Sequence, residues 1–329
     1  MAEFLNERRM SLAIALALLA VPLMAEWLGN SFYTTLATRA AILALAGVGL
    51  NIALGSGGLI SLGHAAFFGI GGYAVGIIAS HHQAYEPLMT WPLTIAATNQ
   101  MPVLWLVAIL ASGLAALMIG ALSLRTSGVY FIMITLAFAQ MIYYFAVSWP
   151  AYGGQDGLSI YVRDGFPGLN TLRPLDFFLL CYAVLMVVLA LVRMISGARF
   201  GAMLEAVRQN PARVAALGLS PFRIRLVAFV LSGMVTGLAG ALYADLNRFV
   251  SPSMLSWHMS GEIMVFVILG GAGRLFGPVA GACIYVLFEH VFGGVSDYWQ
   301  FFLGALLLGV VLFARGGLIG LAAGRARHD

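Results

Sequence analysis

Lysine is missing from this chain. All 17 basic residues among its 329 are arginine. That absence excludes a phosphate-cradling P-loop lysine, a Schiff-base lysine and a lysine general base. Charge of either sign is also scarce: Asp, Glu, Lys and Arg together make up 9% of the residues, against about 25% in an average soluble domain. Cysteine occurs only at Cys181 and Cys283, with no CxxC and no ligand-like spacing, so the sequence offers no metal site. Both fall in apolar runs and read as small core residues that say nothing about redox compartment.

What is abundant is apolar surface, with 61% of residues hydrophobic. Stretches of about 20 such residues cross a bilayer core of about 30 Å at 1.5 Å per residue. They recur along almost the whole length and leave no room for a separate soluble domain. The chain therefore reads as a single all-α polytopic membrane domain over residues 1–329. About ten transmembrane helices are expected, at residues 10–29, 36–54, 59–80, 101–124, 128–149, 175–195, 226–244, 261–273, 277–294 and 299–315. Arg8 and Arg9 before SLAIALALLAVPLMA resemble a secretory signal, but Leu23 and Ala25 form a poor cleavage site, which predicts an uncleaved first span. With a cytoplasmic amino terminus, only Arg39, Arg163, Arg173 and Arg248 of the 17 arginines fall outside, leaving thirteen inside. The positive-inside rule favours that orientation and puts both termini in the cytoplasm. Arginines scattered in this way, at a net charge of +4, report topology rather than a nucleic-acid partner.

Two segments break the apolar pattern inside the membrane. GSGGLISLGHAAFFGIGGYAVG, residues 55–76, holds eight glycines, two serines and His64. Irregular backbone at membrane depth survives only where protein or a water-lined cavity satisfies its polar groups, and glycine-interrupted helices mark transport pathways. Gly69, Gly72 and Gly76 share a helical face that permits close packing. His64 is costly in lipid and is expected to face a cavity, with Ser61, Gly63 and Phe67 beside it as candidate pathway lining; the structural alternative is a ring that bonds a neighbouring carbonyl. The second break is ILGGAGRLFGPVAG, after a short span of about 13 residues that reads as broken or re-entrant. Glu262, Glu289 and His290 lie near predicted interfaces, where snorkelling or local pairing is favoured over ion coupling. Residues 81–100, with LMTWPLTIAAT, read as interfacial or re-entrant, and the long outer loop 150–174 as irregular surface.

The most informative hydrophilic stretch is the loop 196–225. It predicts a first short helix over 202–209, then Asn210 as N-cap, Pro211 as first helical residue and Gly218 as terminator of a helix carrying Val214 and Leu217 on one side. So many local signals exceed what a connector needs and imply a docking surface.

Three strings, GSGGLISLGHAAFFGIGGYA at 55–74, AVRQNPARVAALGLSPFRIRLVAFVLSGMVTGLAGALYA at 206–244 and SPSMLSWHMSGEIMVFVILGGAGRLFGPVAGA at 251–282, resemble the LivH/LivM branched-chain amino acid permeases of bacterial ABC importers, the LivM type more closely. Residues 1–35 carry no such likeness. The resemblance implies an ABC importer permease fold in the bacterial inner membrane, with residues 205–218 docking into a groove on a cytoplasmic ATPase. It implies coupling roles for Glu205, Arg208, Asn210, Pro211, Val214, Ala215, Leu217 and Gly218, although Gln209 and Asn210 stand where the family often has acidic residues. The implied partners are a homologous LivH-like permease, two ATPase subunits that hold the ATP and magnesium, and an extracytoplasmic substrate-binding protein. This chain itself would carry no cofactor and catalyse no reaction. Two other readings stay open here: a urea or short-amide permease of the same kind, and an ion-coupled secondary transporter acting alone.

Overall fold

The computed structural model describes residues 2–87, 97–294, 298–313, 316–318 and 320, with side chains from residue 9 onward. The expected interfacial piece at 81–100 therefore lies largely outside the described residues. Twelve α-helices run through the rest in chain order. Helix α1 covers Ala2–Trp27 and α2 Ser31–Asn51, the latter continuing into a π-helical turn at Ile52–Ser56. Then follow α3 (His64–Gln83), α4 (Met101–Ser123), α5 (Val129–Val147) and α6 (Pro174–Gly197). Two short helices come next, α7 (Arg199–Gln209) and α8 (Pro211–Ala216), and then α9 (Pro221–Asn247), α10 (Trp257–Gly270), α11 (Gly277–Gly293) and α12 (Trp299–Phe313).

Each of the ten expected spans coincides with one of these helices, α7 and α8 being the extra pair. Helices form because a backbone in lipid must satisfy its own N–H and C=O groups. Boundaries follow local chemistry: Asn30 accepts from the Phe32 N–H at the start of α2, and prolines occupy the first turn of α4, α6 and α9. Among the described residues six helices, α1, α2 with its π turn, α4, α5, α6 and α9, are long and apolar enough to cross a membrane, while α10, α11 and α12 are shorter apolar helices. Helix α3 is long enough, but its glycines and histidines dilute its hydropathy.

The core is built around α2 and α9. Ala40 through Leu50 of α2 are buried throughout, and α9 lies against α2, α3 and α4. Helices α3 and α9 approach so closely that a Cβ at Gly71 would strike the Gly237 carbonyl. By contrast α5 keeps Tyr130, Met133, Met141, Tyr144 and Phe145 exposed.

The loop between α5 and α6 is irregular, as expected, and is clamped at its base. Its two-residue strand β1 (Leu158–Ser159) pairs antiparallel with β2 (Phe249–Val250), which directly follows α9. The Arg163 guanidinium lies 4.1 Å over the Phe177 ring and donates to three backbone carbonyls: Asp245 at 3.0 Å, Thr171 at 2.7 Å and Leu246 at 3.4 Å.

Candidate functional site

The break after α2 is a change of helix type followed by irregular chain. The π turn passes at Gly57 into residues 59–63, and α3 starts at His64. Freed backbone groups there find other partners: the Gly63 N–H donates to Ser61 Oγ at 3.1 Å, and the Ala65 N–H, in the first turn of α3, donates to Ser260 Oγ of α10 at 2.9 Å. A helix start needs such acceptors because its first N–H groups have no intrahelical partner. The second break is joined to the first through Asn51, whose Nδ2 donates to the Arg274 carbonyl at 3.0 Å while its Oδ1 accepts from the Gly273 N–H at 2.9 Å. One side-chain amide thus pairs with the α10–α11 loop as a strand backbone would.

Ser61, Gly63, His64 and Phe67 are brought together, and all four are buried. The expectation that His64 faces a cavity is corrected: its side chain is enclosed at 0% exposure, because α2, α3 and α9 close around it. Its Nε2 lies 2.7 Å from Ser232 Oγ, and Ser232 Oγ donates to the Gly49 carbonyl at 2.6 Å. A hydroxyl has one hydrogen, and here Gly49 takes it; Ser232 must therefore accept from His64, which fixes the Nε2–H tautomer. The ring also meets Phe67 and Phe229 edge-on at 5.4 and 5.7 Å between centroids. The arrangement is a three-helix fastener of α3, α9 and α2. A cleft of about 160 Å³ opens elsewhere, among Thr35, Thr38, Arg163 and Arg248.

The two short helices carry the second group of candidate residues. Asn210 caps α8, accepting from the Arg213 N–H at 3.0 Å; Pro211 opens the helix, and Gly218 follows it at a φ of +82°, the left-handed conformation that glycine adopts without cost. Glu205, Arg208, Asn210, Pro211, Ala215, Leu217 and Gly218 are exposed. Val214 and Leu217 do not share an outward face, contrary to the expectation from spacing. Val214 is 4% exposed and Leu217 75%, because α8 is only six residues long and uses Val214 to sit on its own chain, while Leu217 falls on the cap beyond the helix. Arg208 also turns inward at its tip: its Nη1 donates to the Gly55 carbonyl of the π turn at 2.6 Å.

Known proteins resemble this chain over most of its length. The family described as the branched-chain amino acid transport system permease component matches residues 32–311. The chain belongs to this family. It is 28% identical to the high-affinity branched-chain amino acid transport system permease protein LivM of Salmonella typhimurium, over 92% of this chain and 74% of that protein. Identity to LivM of Escherichia coli is 29%, over 86% of this chain and 69% of that protein. The autoinducer 2 import system permease protein LsrC of Klebsiella pneumoniae is 30% identical over 49% of this chain and 46% of its own. No solved structure matches. The protein is thus a multi-pass permease of the inner membrane and not itself an enzyme.

Within this permease, sequence reading missed Asn51, Ser232 and Ser260, for which the only signal was their place in otherwise apolar helices. Near the interfaces Glu289 of α11 pairs locally, forming a salt bridge with Arg39 of α2 at 3.0 Å, and the His290 ring packs on Phe32 at 5.2 Å.

Proposed function

We propose that this permease is the LivM-like transmembrane subunit of an ATP-driven importer for branched-chain amino acids. It would pair with a LivH-like permease, two cytoplasmic ATPase subunits and an extracytoplasmic binding protein. The observation that carries this reading is the α7–α8 pair: α8 is capped by Asn210 and closed by Gly218, the pair is seated on the bundle through Leu204, Val207 and Val214, and it exposes Glu205, Asn210, Pro211, Ala215 and Leu217. A connector between α6 and α9 needs neither caps nor an anchored outer face. ATP and magnesium would reside on the ATPase subunits, consistent with a chain that has no lysine. The arginine distribution favours α7, α8 and both termini on the cytoplasmic side.

In this reading the closed packing at His64 is one state of an alternating permease. Helices α2, α3 and α9 would separate in another state and expose Ser61, Gly63, His64 and Phe67 to the pathway. The test is co-expression with the neighbouring subunits, followed by purification and reconstitution. ATPase subunits should copurify, and the complex should take up labelled leucine in preference to labelled urea. Urea uptake would move the substrate assignment to the amide class, and transport by the chain alone would reject ATP coupling.

A further inference from the structure

The C-terminal end of α2 collects contacts from three separate parts of the chain within seven residues. The Gly49 carbonyl accepts from Ser232 of α9, the Asn51 amide pairs with Gly273 and Arg274 of the α10–α11 loop, and the Gly55 carbonyl accepts from Arg208 of α7. The last of these joins a positive fork to the carbonyl end of a helix, where the macrodipole favours a cation. The stem of Arg208 is placed too: a Cβ on Gly58 would meet its Cγ at 3.0 Å, and Leu204, one turn earlier, reaches within 3.6 Å of the same point on Gly57. Helix α7 therefore grips the π turn from outside while Asn51 ties that turn to the second break. π-helical turns often sit at functional positions, where the loosened ladder lets a helix end shift.

We infer that Arg208 is a positioning residue that acts within this chain, transmitting movement of the α7–α8 pair to the π turn and through Asn51 to the α10–α11 loop. This rests on the importer reading above, but it gives Arg208 a different task from the one that reading assigns to the exposed residues around it. Glu205, Ala215 and Leu217 face outward and would meet the ATPase; Arg208, although exposed, turns its guanidinium to the Gly55 carbonyl of the bundle. A push on α7 then moves both broken segments together, because one charge-assisted hydrogen bond and one two-point amide contact connect them.

The test uses the whole complex, with the partner permease and ATPase subunits, reconstituted with its binding protein and given labelled leucine. Three quantities are read: ATPase subunits retained per permease, ATP hydrolysed, and leucine taken up per ATP. Arg208→Met keeps the stem over Gly58 and removes the fork. It should retain the ATPase subunits at the parental ratio and lower uptake per ATP by about tenfold, the size expected for one charge-assisted hydrogen bond. Arg208→Lys should recover part of the loss. Because the two contacts lie on one route, adding Asn51→Ala to Arg208→Met should cost less than the product of the single effects. A purely structural defect would lower yield, hydrolysis and uptake together and leave uptake per ATP at the parental value, which overturns the latch. Loss of the ATPase subunits from Arg208→Met also overturns it, by making Arg208 a docking contact. A parental complex without ATPase subunits, or one that takes up neither labelled leucine nor labelled urea, rejects the importer reading itself and the Arg208 contact's role with it.

Discussion

The two ends of the helix bundle hold irregular backbone in different ways. At the end near β1 and β2, the loop between α5 and α6 is pinned by one partly buried arginine that serves three carbonyls and stacks on Phe177. Beside it Asp164 is buried, and Thr171 donates to the Asp164 carbonyl at 2.9 Å. At the α7 end the broken segments are held by Asn51, with two hydrogen bonds, and by Arg208, with one from an otherwise exposed residue. Many bonds to one half-buried hub make a cap that yields only by unfolding. Few bonds, each reaching a different segment, make a joint that can be moved. Loss of a contact should therefore read out as stability at the first end and as coupling at the second.

The largest effect on that contrast is expected from Arg163→Met. It strands three carbonyls at the base of the loop and should destabilise the detergent-solubilised protein by about 3 kcal/mol or more, visible as a lower thermal midpoint. An unchanged midpoint would show that the loop is held by something else. Next comes acidity. Burial raises the Asp164 carboxyl from 3.8 to about 6, partly offset by the hydrogen bond with the Asp245 side chain and by His82. Between those two values the folded protein binds a proton that the unfolded chain has released, so stability falls as pH rises from about 4 to about 6. The loss should be about 3 kcal/mol, and Asp164→Asn should flatten the profile; a parental profile in that variant would assign the dependence to other groups.

His64→Leu should cost about 1–2 kcal/mol through the lost Ser232 contact, a modest change in midpoint, and should reduce uptake per folded permease further than that. Parental uptake per folded molecule would leave His64 a fastener only. The smallest stability effect belongs to Gly218→Val, about 1 kcal/mol confined to α8, because a β-branched residue resists a φ of +82°. The bundle should insert in normal amount while ATPase subunits are lost on purification or substrate-stimulated hydrolysis disappears. If the variant unfolds globally instead, the α7 end is as rigid as the other, and the contrast drawn here fails.

These differences also explain what could be read from the sequence. Long apolar runs and terminal prolines are local signals, and the ten spans coincide with helices as expected. Asn210 and Gly218 were legible for the same reason, since a cap acts within three or four residues of itself. His64 was visible as an oddity, but its partner Ser232 stands 168 residues away and its enclosure depends on helices that no short window contains. Val214 and Leu217 were misread because spacing gives a face only while the helix lasts, and α8 ends between them. Arg208 was legible only as one of the coupling residues that the resemblance implies, and only the folded chain shows where its fork points.

The π turn between Ile52 and Ser56 also fixes a count. An α-helix advances about 100° per residue, so the wider turn makes room for roughly one residue that a regular helix could not hold in phase. Deleting one residue there would hardly alter hydropathy or length, and the span would still insert. Yet everything downstream would be rotated by about 100° against α7, turning the Gly55 carbonyl away from Arg208 while Asn51 stayed in place. The contact between α7 and the break is thus written partly in arithmetic: alignments that let α2 and its π turn gain or lose one residue would join chains whose two halves no longer face the same neighbours.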